Sequence, residues 1–225
     1  MKRKLKIEIG LAVLLLLIAL FGSFLAPYDP LKVNYDFSLQ PPSFLHIFGT
    51  DKLGRDVFSR ILCGAKTSFG LTFLMLFLIV FIGMIVGLIA GLSNDKVESF
   101  FNNIINGLLA FPDTIFAIAI VGIVGAGLFN TVFALALIWW IKYARLTLAL
   151  VKQEKKKNYL VISKMSGVPP LQRIIRYLLP NILSQILVTA FLDIGNMMIS
   201  LAGLSFLGQT SKMPLRFWMK HPFLK

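Results

Sequence analysis

Cysteine, histidine and acidic side chains are all scarce in this chain of 225 residues. Cys63 is the only cysteine, which excludes an intrachain disulfide and a thiolate metal cluster. The two histidines, His46 and His221, stand far apart, and neither His-Glu-x-x-His nor Cys-x-x-Cys occurs, so no zinc-binding spacing is present. There is also no Gly-x-x-x-x-Gly-Lys-Ser/Thr loop to cradle a nucleotide. These absences predict a chain that is not an enzyme, holds no metal and binds no cofactor of its own. Charge of either sign is sparse too, with 15% of residues charged and only 10 acids against 23 Lys and Arg.

Apolar residues are what the chain has instead. They make up 57% of it, and the mean hydropathy is +0.80. A soluble domain must keep its outer faces polar and cannot hide that much apolar surface, so a membrane protein in a lipid bilayer is predicted. A net charge of +13 in a soluble protein would raise nucleic acid as a partner. Here the bases gather between apolar runs, where membrane proteins keep their cytoplasmic loops, and nucleic acid is set aside.

Met1 to Lys6 is a basic leader, and a charge-free run follows from Ile9 to Tyr28. Its length matches the roughly 20 residues that cross a bilayer of about 30 Å and exceeds the apolar core of a signal peptide. Residues 1–28 therefore read as an uncleaved anchor helix. Pro27, Pro30, Pro41 and Pro42 then forbid a continuing helix, so residues 29–66 read as an external loop. Its second half, from Asp56 to Phe69, has the makings of a short interfacial helix. Residues 67–207 form the expected core. Thr67 to Asn94 is a second uncharged run, with Gly83, Gly87 and Gly91 at four-residue spacing. That pattern allows close helix approach in lipid, although glycine is common in membrane helices anyway. Asp95, Lys96 and Glu98 read as a polar turn. Phe100 to Ile141 is too long for one crossing and reads as two helices hinged near Gly125–Gly127. Lys142 to Arg176 carries nine Lys and Arg against one acid, Glu154, and reads as cytoplasmic. A fifth run, Asn181 to Leu207, is charged only at Asp193. With the N-terminus inside, five crossings place that basic loop inside and leave the basic tail, residues 208–225, outside, against the usual bias.

Three patches carry a resemblance. Phe48-Gly-Thr-Asp-Lys-Leu-Gly-Arg-Asp-Val-Phe-Ser-Arg60 resembles, nearly residue for residue, the signature between helices one and two of the second permease in dipeptide, oligopeptide and nickel ABC importers. Its marked residues are Gly49, Thr50, Asp51, Gly54, Arg55, Asp56, Ser59 and Arg60. They equally suit a solvated loop of local ion pairs, with Asp51 as a helix cap. The second patch, Tyr159 to Asn181, resembles the cytoplasmic loop by which such permeases contact their ATPases, within a coupling stretch spanning 142–180. Gly167 and Leu179-Pro180 keep the family spacing, with Gly167 breaking a first helical half and Leu179-Pro180 closing a second. The family's Glu-Ala-Ala triplet is replaced by Val161-Ile162-Ser163, so its acidic residue is missing. Lys155 to Lys157 beside it read either as docking charges or as a solvated run. The third patch, Leu192-Asp-Ile-Gly-Asn-Met-Met198 with Ala202-Gly-Leu-Ser-Phe-Leu-Gly208, is most similar to the nickel-import branch.

The resemblance implies an all-α polytopic fold of the ABC-importer type I (MetI-like) class, with five helices of an expected six. It is close up to Gly208 and then departs into an atypical, shortened tail. It also implies a non-catalytic subunit of the plasma membrane, taking up nickel, a metal chelate or short peptides. ATP would lie on partner chains: two cytoplasmic ATPase subunits, beside a homologous second permease and an extracytoplasmic solute-binding protein. The alternative is a truncated, non-transporting remnant or scaffold. An ion-coupled carrier would need more intramembrane charge than one Asp supplies. That Asp193, with Met197 and Met198 beside it, is the expected translocation-path group, because an ionisable side chain in an apolar run is costly and by default functional. It equally suits a hydrogen bond to a neighbouring helix.

Overall fold

The computed structural model describes residues 7, 10, 17, 18, 20–125 and 127–206, so the tail beyond 206 and most of the expected anchor helix lie outside the described residues. Residues 20–25 of that anchor run are helical. The chain divides into two compact units, Met1–Leu71 and Thr72–Lys225. Helix α1, Val57–Leu92, contributes to both. Its mean hydropathy and length suit a membrane crossing, and the same holds for Leu128–Lys155 and for Pro170–Leu204. Asp95–Leu109 and Asp113–Val124 form a pair bent by 85°, which makes a fourth crossing if taken as one broken span. The described residues thus hold three or four spans, in a helical fold with a single isolated bridge, Thr50 to Asp56, as its only β pairing.

In the first unit the prolines keep residues 29–56 non-helical apart from one 3-10 turn, Tyr35–Phe37. The helix expected from Asp56 to Phe69 is not a separate element. It is the opening of α1, because no Pro or left-handed Gly interrupts the apolar sequence between Val57 and Leu92.

In the second unit, α2 (Asp95–Leu109) corrects the polar turn expected at Asp95. Asn94 Oδ1 accepts from the Val97 N–H at 3.1 Å, and Asp95 and Glu98 favour the positive N-terminal end of the helix, so these polar residues start a helix. Pro112 stops it, and α3 (Asp113–Val124) restarts beyond the bend. The expected break at Gly125–Gly127 separates α3 from α4 (Leu128–Lys155). Helix α4 runs well into the basic stretch that composition assigned to a loop.

Helix α5 (Asn158–Met165) follows, then the short α6 (Pro170–Arg173), a π-helical turn over Ile174–Leu178, and α7 (Leu179–Phe206). Leu179-Pro180 does not close a helix here. Pro180 has no N–H to give, and the widened turn, in which the Leu179 N–H reaches Ile174 O, carries the chain past it into α7. The core of this unit is centred on α4, whose Val132, Leu135, Ile138, Ile141, Leu148 and Val151 are buried.

The glycine spacing on α1 is used within the chain. A Cβ on Gly83 would lie 2.5 Å from Tyr143 Cβ, and one on Gly87 would lie 2.6 Å from the Ala144 carbonyl, so both glycines sit flush against α4. In lipid no hydrophobic drive pulls helices together, so such contact is what holds a pair.

Candidate functional site

Three polar constellations interrupt the apolar structure. The first lies in the first unit, on the loop before α1. Asp51 is its hub. Its Oδ1 accepts from the Leu53 and Arg55 N–H groups at 2.8 and 3.1 Å, and its Oδ2 meets Arg55 Nη2 at 2.7 Å and Arg60 Nη1 at 3.1 Å. The helix cap expected at Asp51 is made instead by Asp56, directly before α1. Its Oδ2 accepts from the Ser59 N–H at 2.8 Å and the Ser59 hydroxyl at 2.7 Å. The other oxygen of Asp56 faces His46 Nδ1 at 2.9 Å, and the His46 ring rests against Tyr28 and Phe37. Thr50 is buried and bonds Gln40 N and Phe37 O, while Gly49 O accepts from the Val57 N–H at 3.1 Å. Gly54 has φ +69°, and a Cβ there would fall 1.6 Å from Asn34 O, so no other residue fits.

Burial alone would raise the Asp51 carboxyl. The Arg55 hydrogen bond, the two backbone N–H groups and the Arg55 charge outweigh it and hold the pKa at about 2. Burial likewise opposes ionisation of Asp56, and the two Ser59 bonds with His46 hold its pKa below the usual range. A depressed carboxylate contributes stability above its unfolded pKa of about 3.9 and loses it as pH falls through the folded value. Amide protection at Leu53 and Arg55, corrected for intrinsic exchange, is therefore expected to persist to about pH 4 and to fade towards pH 2. Asp51→Asn should remove that protection already at pH 7, and an unchanged loop in this variant would refute the hub.

The second constellation lies within the membrane-spanning part of the second unit. Asp193 on α7 is buried and accepts from Lys142 Nζ at 2.8 and 2.7 Å and from Tyr143 OH at 2.9 Å. Lys142 is thus a helix residue of α4, about 20 Å along the helix from Lys155 at about 1.5 Å per residue, and does not belong to the basic loop. A cavity of about 320 Å³ opens beside the pair, lined among others by Asp113, Trp139, Lys142, Asp193, Asn196 and Ser200. Met197 is buried in the helix packing and Met198 is half-buried. No three His, Cys, Asp or Glu side chains gather to hold a metal ion among the described residues.

The third constellation is at the basic loop. Gly167 turns the chain after α5 with φ +75°. Glu154 is buried at the end of α4, pairs with Lys157 Nζ at 2.6 Å and accepts from the Tyr159 hydroxyl. Asn181 Nδ2 donates to that hydroxyl at 3.1 Å. Burial first, and the Glu154 carboxylate second, push the Tyr159 phenol up to about 12. Lys155 Nζ bonds Gly91 O of α1 at 3.0 Å, so two of the three consecutive lysines have partners within the chain. Ser163 is buried and bonds the Leu160 carbonyl at 2.8 Å. Val161, Ile162 and Met165 of α5 are exposed at 46%, 59% and 81%. They leave apolar surface bare in a strongly basic stretch of the chain, as does Leu171 of α6. Leu179 and Pro180 open α7.

Lys142, Tyr143, Glu154, Asn181 and Asp113 were not singled out by sequence. The available signal was Asp193 itself, since a lone intramembrane acid calls for a basic partner on another helix.

Residues 79–221 match the family described as the binding-protein-dependent transport system inner membrane component, and residues 9–42 match the N-terminal TM domain of oligopeptide transport permease C. The chain is 34% identical over 205 residues to the nickel transport system permease protein NikC of Escherichia coli (strain K12), covering 91% of this chain and 74% of that one. It is 37% identical over 217 residues to the di/tripeptide transport system permease protein DppC of Pseudomonas aeruginosa (strain UCBPP-PA14), covering 93% and 72%. Over 212 residues it is 36% identical to the dipeptide transport system permease protein DppC of Escherichia coli (strain K12), covering 92% and 71%.

Proposed function

Because the chain belongs to the family of inner-membrane components of binding-protein-dependent transport systems, we propose a division of labour among its three constellations. The chain is a transmembrane permease subunit of an ABC importer for nickel or short peptides. In our reading its N-terminus is cytoplasmic, the loop 29–66 faces a solute-binding protein outside, and α5 receives the ATPases inside. Two ATPase chains carry the ATP, and a homologous permease supplies the other wall of the path. Nucleotide binding closes the ATPases, and alternating access follows as a rigid-body rocking of packed helices.

The observation that carries this reading is the apolar face of α5, with Val161, Ile162 and Met165 exposed in a setting of lysines and arginines. A short helix with one bare apolar stripe fits a groove on a partner, and the basic surround suits the cytoplasmic side. The missing acid of the family triplet is then replaced by shape and packing, since Val161 and Ile162 present only apolar surface.

Asp193 is proposed to line the path, because it borders the cavity beside Lys142. Met197 and Met198, four and five residues further along α7, do not line that cavity. The cavity carries both charge signs and amide and hydroxyl groups, which suits a peptide or a metal that travels with its own chelator. A bare divalent ion would need a denser set of ligands than gathers there.

Copurification of the ATPase subunits with the intact chain tests the docking. Gly167→Val forces a β-branched residue into a left-handed turn that it resists, while the space around it is open, so the chain should fold and the turn should change. We expect recovered ATPase to fall about tenfold, as a docking loss of roughly 1.4 kcal/mol would produce. Failure of the ATPases to copurify with the unmodified chain would favour the scaffold reading.

A further inference from the structure

Two polar ties join α4 to the α7 side of the bundle, and they are evenly matched. The inner tie is Lys142 and Tyr143 on α4 to Asp193 on α7. The loop-side tie is Glu154 on α4, through the Tyr159 hydroxyl, to Asn181 on α7. The two ties are separated by the same number of residues on both helices, roughly 18 Å at about 1.5 Å per residue. Between them Leu148 and Val151 of α4 and Ile182, Ile186 and Ala190 of α7 are all buried. Two helices bonded at two levels with a packed interior between them resist both sliding and splaying.

Tyr159 is the element of the loop-side tie that sits on α5. It gives its proton to Glu154 and receives one from Asn181. The same Asn181 amide also donates to Tyr177 O at 2.7 Å, which orients it. Lys157 keeps the buried Glu154 charge compensated on its other oxygen. The phenol therefore joins α5 to both long helices at once.

We propose that Tyr159, with Glu154 and Asn181, is a positioning residue that locks the docking helix α5 onto α4 and α7 as one rigid body. A displacement applied at α5 then arrives at the Lys142–Asp193 cavity instead of being absorbed in the loop. The proposal rests on the reading that ATPases dock at α5, but the rigidity itself does not.

The test uses the full chain with Cys63→Ser, carrying Tyr159→Phe or, as a second variant, Asn181→Ala. Spin labels at Met165→Cys on α5 and Val188→Cys on α7 occupy exposed positions. In the detergent-purified chain without ATPases, the parent should give one narrow distance and both variants a broadened one. In the assembled transporter, Ser200→Cys at the cavity reports alkylation by a small maleimide with and without ATP and vanadate. The parent should show a nucleotide-dependent change in rate of at least about fivefold, the lower end of typical coupling between sites. Tyr159→Phe should abolish that change while ATP hydrolysis continues. A narrow distance in both variants, or an unchanged nucleotide response with Tyr159→Phe, overturns the proposal. If no ATPase assembles on the parent, the docking reading fails, and the label distances still decide whether Tyr159 locks α5.

Discussion

Lys142→Met is expected to be far more damaging than Asp193→Asn. The reason is the asymmetry of the pair: the Asp193 side chain is 7% exposed, whereas that of Lys142 is 52% exposed. Removing the lysine strands a buried carboxylate with only the Tyr143 hydroxyl, and breaking a buried pair from one side costs about 3–5 kcal/mol. Removing the carboxylate leaves a half-exposed ammonium that can turn its head into the adjoining cavity along its flexible stem, while Asn still accepts from Tyr143. The expected cost is about 1 kcal/mol, the size of a weakened hydrogen bond. Lys142→Met combined with Asp193→Leu should recover much of the single-variant loss, because apolar replacement of both partners removes the stranded charge. Thermal unfolding of the purified chain in detergent gives the ranking, and equal shifts for the two single variants would refute it. Asp193→Asn also serves the path. It should reduce uptake in an assembled transporter, and unchanged uptake with normal assembly would remove Asp193 from that role.

The sequence made some elements plain and hid others for identifiable physical reasons. Apolar run length showed Thr67 to Asn94 as membrane-crossing, because about 20 residues without charge have few other uses, and the span Val57–Leu92 contains most of that run. The break near Gly125–Gly127 was equally visible, since paired glycines weaken a helix, and Gly125 takes a φ of +101° that side chains avoid. Asp95 was misread as a turn because charge near an apolar run looks like a boundary, while the deciding bond, from the Val97 N–H to the Asn94 side chain, lies between residues that composition does not pair. Pro180 was misread as a stop because the rule against proline in a helix assumes regular spacing, and the π turn at Ile174–Leu178 relaxes that spacing. Lys142 was misplaced because a charge count over a segment cannot tell the last turns of a helix from the loop that follows.

The candidate site divided along the same line. The ions of the signature loop were expected to pair locally, and Asp51 does pair with Arg55 and Arg60, since the partners are close in sequence. His46 reaches Asp56 across the fold of the loop and was not foreseen. Lys142 with Asp193, and Glu154 with Asn181 through Tyr159, join helices far apart in the chain, and no local pattern encodes such pairings.

Gly87→Leu carries the other large effect, and its size follows from what stands in the way. An added Cβ meets Thr147 Cβ at 2.5 Å and the Ala144 carbonyl at 2.6 Å. The second obstacle is backbone, which cannot rotate aside, so α1 and α4 must part. Overpacking of this kind costs about 1–3 kcal/mol, and the remaining atoms of leucine should take it to the upper end or beyond. Gly87→Ala should already be destabilising, although alanine in a helix interior otherwise gains about 1 kcal/mol over glycine. Gly195→Ala on α7 is the control. Nothing lies within 4 Å of its Cβ, so only the helix preference acts, and the expected shift is neutral or upward. Gly83→Ala adds a second consequence, because its Cβ would press on Tyr143 at 2.5 Å, and Tyr143 holds Asp193. Parting the helices there should loosen the inner polar tie as well as the packing, so Gly83→Ala combined with Tyr143→Phe should cost less than the sum of the two alone. Thermal unfolding of the purified variants measures all of these. A loss at Gly195 as large as that at Gly87, or strict additivity of Gly83→Ala with Tyr143→Phe, would mean that the glycines of α1 are not the surface on which α4 is seated.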